Sequence, residues 1–203
     1  MLPLNPDVIR RVVCGVDWGF VHPCAIEVFA LDGDGRMLRI WEVYYSQRTI
    51  DWWVERALEI HNFYRIEAFV CDPSEPAYIV AFQRAGLPAI PGFNGVAPGI
   101  QAVAQRLVVQ ADGRPRLMFL RDQNYGTDPD QRDKKMPCAV EDEFTSYVWD
   151  TRMNRKKGEE PIKEGDDGLD ATRYAVAYVD SVGQSRYSPV SPLAPAFEPR
   201  RLW

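Results

Sequence analysis

The chain has 203 residues and a mass of 23.2 kDa, room for one sizeable core or a domain with a small appendage. Apolar residues make up 46% and charged residues 26%, which excludes wholesale disorder; the longest uncharged apolar runs fall short of the roughly 18 residues that cross a bilayer. A formal net charge of -5 disfavours coating nucleic acid by bulk charge but allows a local basic patch.

Residues 1–7 lack a basic segment followed by an apolar one, so no secretion signal is expected. Arg11–Val16 is a short β-branched run that predicts a buried strand ending at Asp17. Ala25–Leu31 and Met37–Tyr44 flank Asp32-Gly33-Asp34-Gly35, whose residues tolerate the positive φ of a tight hairpin. Three consecutive strands in an antiparallel meander are therefore expected.

The period then changes. Thr49 is placed to cap a helix whose apolar positions Ile50, Trp53, Ala57, Ile60 and Tyr64 recur every three to four residues. Ile66–Cys71 predicts a fourth strand ending at Asp72, with Ser74 expected to cap the helix over Pro76–Ala85 and Gly86 to close it. A strand near Ala89-Ile90, a helix over Gly99–Val109 and a strand over Leu117–Leu120 follow. The order βββαβαβα predicts an α/β domain with a central mixed sheet of five to six strands flanked by helices.

Arg121–Pro137 is polar and turn-rich, Val140–Trp149 regains order, and Arg152–Gly165 is charged, with Met153 and Ile162 its only apolar anchors. A last helix is expected over Asp167–Val182, so residues 1–182 form the domain and residues 183–203, with Pro189, Pro192, Pro195 and Pro199, an extended tail. Cys14, Cys24, Cys71 and Cys138 include no C-x-x-C pair, and His22 and His61 are the only histidines. Zinc is not expected, and free thiols fit a reducing cytoplasm.

Three acidic stations stand out: Asp17 and Asp72 at strand ends, and Asp166, Asp167 and Asp170 at the start of the last helix. Neighbouring parallel strands would set Asp17 beside Asp72 at their carboxyl ends, where open α/β sheets carry their sites. On a helix, Asp170 projects roughly 60° from Asp167 and roughly 40° from Asp166. Each acid alone has an ordinary explanation as a turn or helix-start residue. Asp170 does not, because it precedes the apolar face Ala171, Tyr174, Ala175 and Tyr178. Carboxylates without His or Cys suit Mg²⁺ or Mn²⁺, and two such ions can activate a water and stabilise a leaving oxygen in phosphodiester cleavage.

Gly15-Val16-Asp17-Trp18-Gly19, Cys71-Asp72-Pro73-Ser74-Glu75-Pro76 and Asp166-Asp167-Gly168-Leu169-Asp170-Ala171-Thr172-Arg173-Tyr174-Ala175 resemble the three motifs of the nuclease domain of tailed-phage terminase large subunits. The last is the most specific, and the resemblance spans about residues 11–182; Val140–Trp149, with Glu143 and Trp149, is similar to the stretch before the third motif. It implies an RNase H-like (RuvC-like) fold and a viral packaging endonuclease of the infected bacterial cytoplasm, cutting concatemeric double-stranded DNA with two Mg²⁺ or Mn²⁺ ions. By the same resemblance Asp17 would bridge both metals and Asp72 would bind one. Asp167 would complete the catalytic set, with Asp166 or Asp170 assisting as metal ligands. The full-length partners implied are a packaging ATPase domain, a small terminase and a portal, with no membrane. The G-x-x-x-x-G-K-[ST] loop of the ATPase domain does not occur in this chain.

Arg152, Arg155, Lys156 and Lys157 form one cationic cluster; Arg132, Lys134 and Lys135 form another, diluted by Asp133. Each can be a solvated loop, and beside a metal site each becomes a candidate clamp on the DNA backbone. Trp18 and Phe20 are expected to pack in the core or at the rim, with nucleotide stacking the alternative, and His22 to serve structurally near Asp17. Competing functions are a RuvC-like Holliday-junction resolvase with the same chemistry and a non-catalytic scaffold whose acids only cap helices. An actin-like or sugar-kinase ATPase, suggested by Asp17-x-Gly19, would need two such domains.

Overall fold

The computed structural model describes residues 9–145 and 165–187, with side chains described as far as residue 182. The meander is present: β1 (Arg11–Asp17) pairs antiparallel with β2 (Cys24–Leu31), and β2 pairs antiparallel with β3 (Met37–Tyr45). At the β2–β3 turn, Asp32 Oδ1 accepts from the backbone N–H groups of Asp34 and Arg36, and Gly35 takes a φ of 75°.

Helix α1 (Ile50–Tyr64) leads into β4 (Ala68–Cys71), which lies parallel to β1 with Val16 opposite Cys71. Helix α2 (Pro76–Arg84), β5 (Ala89–Pro91), α3 (Val96–Leu107) and β6 (Leu117–Phe119) complete a six-stranded sheet in the order β5-β4-β1-β2-β3-β6. Short helices α4 (Pro129–Asp133) and α5 (Val140–Glu143) precede the long α6 (Asp167–Tyr187), which runs past the expected end at Val182.

Strand parity divides the two faces. Cys14, Val16 and Trp18 join Trp53, Ala57, Ile60, Ile79 and Phe82 in the larger core, so one face packs on α1 and α2. Val13, Phe29, Leu31 and Met37 pack against Ala175, Val176 and Val179, so the other face carries α6. Gly15 is where the helix comes closest: a Cβ there would lie 1.8 Å from the Ala171 carbonyl oxygen. Only glycine lets α6 sit this near β1, and that approach sets the height of the acids on its first turn.

Two local expectations are corrected. Ser74 does not cap α2, whose N-cap is Glu75; its N–H and hydroxyl donate instead to the Asp72 carboxylate, two residues back. This Asx turn uses the hydroxyl before it can reach the helix. The stretch read as turn-rich contains α4, capped by Asp128, whose Oδ1 accepts from the Asp130 N–H at 3.0 Å.

Candidate active site

Residues 13, 15 and 17 of β1 point toward α6, as do residues 68, 70 and 72 of β4 by the same alternation. Asp17 and Asp72 thus leave adjacent parallel strands on the helix-covered face, tied by the Asp72 N–H donating to the Val16 carbonyl at 2.8 Å. The start of α6 stands over this edge, with Asp166 just before the helix and Asp167 and Asp170 in its first turn. The five sequence-predicted acids therefore lie at the same edge of the sheet, near enough for the other four to act electrostatically on Asp17.

Asp17 is the innermost. Only 9% of the residue is exposed, and burial, then Asp170, Asp167, Asp72 and Asp166 in decreasing order, push its carboxyl well above the usual range. Among the described residues no side chain donates to it. Nor do any three His, Cys, Asp or Glu side chains there form a ready-made cage for a metal ion. The chemistry of this acidic, oxygen-donor set, with Asp17 buried and accepting from no side chain among the described residues, suits a hard divalent cation.

The neighbouring contacts give each acid its own support. Trp18 is buried in the core, edge-on to Tyr78 and Phe82, and its indole N–H donates to the Asp72 carbonyl at 3.0 Å. Ser74 fixes the Asp72 carboxylate. Asp167 accepts at Oδ1 from His22 Nδ1, 2.8 Å away, and its Oδ2 lies 3.3 Å from the Tyr44 hydroxyl. That hydroxyl has one proton to give, and its closer acceptor is Glu143 Oε1 at 2.8 Å. Asp170 is gripped by Arg173, Nε to Oδ1 and Nη2 to Oδ2, both at 3.0 Å.

Glu143, fully buried, is the residue whose role the sequence left unassigned. Its oxygens accept from the backbone N–H groups of Gly168 at 2.9 Å and Leu169 at 2.7 Å, capping α6 from outside the helix. Burial raises its pKa, against the lowering effect of those bonds. Its position 24 residues ahead of Asp167 hides this cap from any local pattern. Arg173 carried a legible signal, the i, i+3 spacing from Asp170. Tyr44 could be found only through strand parity.

Of the expected DNA-contacting cations, Lys134 and Lys135 are exposed directly after α4. Asp128, at the start of that helix, accepts from both the backbone N–H and the hydroxyl of Ser46, each at 2.7 Å. This anchors them where β3 ends, and β3 is parallel to β1, so they share the edge of Asp17. Arg152, Arg155, Lys156 and Lys157 lie outside the described residues. No helix among the described residues is long and apolar enough to cross a membrane.

The meander with a fourth strand parallel to the first, flanked by helices on both faces, is an RNase H-like fold. Solved structures of this fold are found among terminases. The large terminase of a thermophilic bacteriophage matches with a TM-score of 0.67 over 85% of this chain at 22% identity. This chain spans 39% of that one's length. The nuclease domain of the bacteriophage SPP1 large terminase, in its Mn-bound form, gives 0.58 at 18% identity, covering 85% of this chain and 88% of that domain. The P22 large terminase nuclease domain gives 0.57 at 19% identity, covering 86% and 84%. No protein-family model matches the sequence, and no curated protein matches it.

Proposed function

We propose that this chain is a metal-dependent DNA endonuclease domain of a viral packaging terminase, cutting double-stranded DNA in the cytoplasm of an infected bacterium. The observation that carries it is the buried Asp17 carboxylate pressed by four other aspartates at the carboxyl edge of a terminase-nuclease fold. A scaffold would have no reason to bury that repulsion. In the longer protein an ATPase domain, a small terminase and a portal would be its partners.

Asp17, Asp72 and Asp167 would hold two Mg²⁺ or Mn²⁺ ions, with Asp166 and Asp170 completing the set. When bound, the ions would neutralise the cluster, acidify an attacking water and stabilise the departing 3′ oxygen. The protein's own contribution is orientation. Trp18 and Ser74 hold the Asp72 main chain and carboxylate. Glu143 fixes the start of α6 and, with Tyr44 and His22, the direction of Asp167; Arg173 holds Asp170. Lys134 and Lys135 would bind backbone phosphates without reading bases.

Plasmid digestion in Mn²⁺, Mg²⁺, Ca²⁺ and EDTA, beside the Asp17→Ala variant, tests this. Cutting that needs Mn²⁺ or Mg²⁺ and vanishes in the folded variant is expected. Cutting in EDTA, or full activity in Asp17→Ala, would remove the assignment. Equal cutting of linear duplex and four-way junction separates a packaging nuclease from a resolvase.

A further inference from the structure

The loop joining β1 to β2 ends in an exposed apolar tip. Phe20 is 54% and Val21 81% exposed, whereas Trp18, two residues earlier, is buried. The tip is fixed from three sides. His22 Nδ1 lies 2.8 Å from Asp167 Oδ1, and the Phe20 carbonyl accepts from the Gln47 N–H at 2.7 Å. Gly19 is packed so tightly that a Cβ would lie 2.0 Å from the Pro23 carbonyl oxygen. A floppy loop could fold its apolar side chains away; this one cannot.

The position matters as much as the exposure. Phe20 and Val21 precede His22 by two residues and one, so their Cα atoms lie within about 8 Å of the His22 Cα. A duplex has grooves about 6 and 12 Å wide. It cannot bring a phosphate to Asp167 without laying a groove over a tip this near. A surface built only to meet phosphates would carry lysine, arginine or a polar group. Phenyl and isopropyl groups gain instead from sugar edges and from the faces of unstacked bases.

Resting on the nuclease reading, we propose that the Phe20–Val21 tip is a wedge that enters the groove of the DNA beside the cut phosphate and opens a base step, with Phe20 as the inserted ring. Cleavage would then favour the pyrimidine–purine steps that unstack most readily, although no side chain reads a base by hydrogen bonding. Chemistry stays with the aspartates; the wedge determines where on the duplex they act.

The test uses a duplex carrying 2-aminopurine at steps flanking a mapped cut, bound by the 203-residue chain with Ca²⁺ in place of Mn²⁺. Wild-type protein should raise the fluorescence severalfold, Phe20→Ser should abolish the rise, and Phe20→Trp should restore it. Sequenced cut ends should show TA and CA/TG steps enriched for wild type and evened out for Phe20→Ser. Mn²⁺-induced thermal stabilisation should persist in the variant, since Phe20 is more than half exposed and touches none of the acids by hydrogen bond. An unchanged signal and cut distribution in Phe20→Ser overturns the wedge alone. So does a change confined to oligomeric state, which would make the tip a contact between copies. Wild-type protein that neither binds nor cuts DNA overturns the nuclease reading and the wedge together.

Discussion

Arg173 closes on Asp170 with an Nε–H hydrogen bond to Oδ1 and an Nη2–Oδ2 ion pair, both at 3.0 Å, while its remaining nitrogen, Nη1, is buried without a partner among the described residues. The guanidinium lies 4.5 Å above the Tyr174 ring and its stem packs against Gly99 of α3. It is a buried cation set beside a cluster of acids. Removing it leaves Asp170 against Asp17 with no neutralising charge, and breaking such a pair typically costs about 3–5 kcal/mol. Arg173→Met should therefore melt lower than wild type in EDTA. An added divalent ion would supply the missing charge, so Mn²⁺ should raise the melting temperature of Arg173→Met more than that of wild type. Scanning calorimetry with and without Mn²⁺ decides this, and equal shifts would mean that Arg173 only packs.

A second electrostatic cost lies on the same sheet face. Glu27 of β2 sits opposite Glu42 of β3; both are fully buried, and neither Glu27 oxygen has a hydrogen-bond partner among the described residues. Burial first, then Glu42, pushes the Glu27 carboxyl well above its ordinary value. The folded state therefore keeps a proton that the unfolded chain releases from about pH 4.5 upward. From there, stability falls as pH rises toward the folded pKa. Glu27→Gln, which needs no ionisation, should gain about 1–3 kcal/mol at pH 8 and clearly less at pH 5. Denaturant midpoints at the two pH values measure it; a gain independent of pH would locate the benefit in packing.

What could be read from the residues follows from how local the cause is. The meander was legible because Asp32–Gly35 separates two apolar runs, and α1 because Trp53, Ala57 and Ile60 repeat at helical spacing and are all buried. Asp17 and Asp72 were legible as strand ends, and the parallel pairing of β1 with β4 makes them neighbours. The support around them was not. Glu143 caps α6 from a separate helix, and Tyr44 approaches Asp167 across the sheet. No spacing rule connects residues whose only relation is tertiary. Helix α4 escapes the sequence because five residues starting at a proline carry no period, leaving Asp128 as its one local signal.

The structural role expected of His22 rests on a contact that can be titrated. Its side chain is 64% exposed, yet the hydrogen bond to Asp167 raises its pKa, outweighing partial burial. Protonated His22 thus favours the fold; that contribution is complete below the ordinary imidazole value near 6.5 and is lost as pH rises through the raised one. Proton NMR of the imidazole signals in metal-free protein should show His22 titrating above the ordinary imidazole value, and Asp167→Asn should bring it back down. A midpoint unmoved by that substitution would break the link between the β1–β2 loop and α6.

If this chain, with its net charge of -5, binds DNA, local cations must make the phosphate contacts. Lys134 and Lys135 are exposed beside α4, anchored through Asp128 to Ser46 at the end of β3. Each phosphate neutralised on B-DNA contributes about 0.9 to the slope of log affinity against log salt. If both lysines touch phosphates, Lys134→Ala with Lys135→Ala should flatten that slope by about 2. The weakening should be similar for unrelated sequences, because such contacts carry no base information. Anisotropy titrations of a labelled duplex between about 50 and 200 mM salt, with Ca²⁺ present, give both quantities. A weaker affinity with the slope intact would mean that the substitutions disturb α4 itself, whereas an unchanged slope and affinity would move the phosphate contacts off this edge of the sheet.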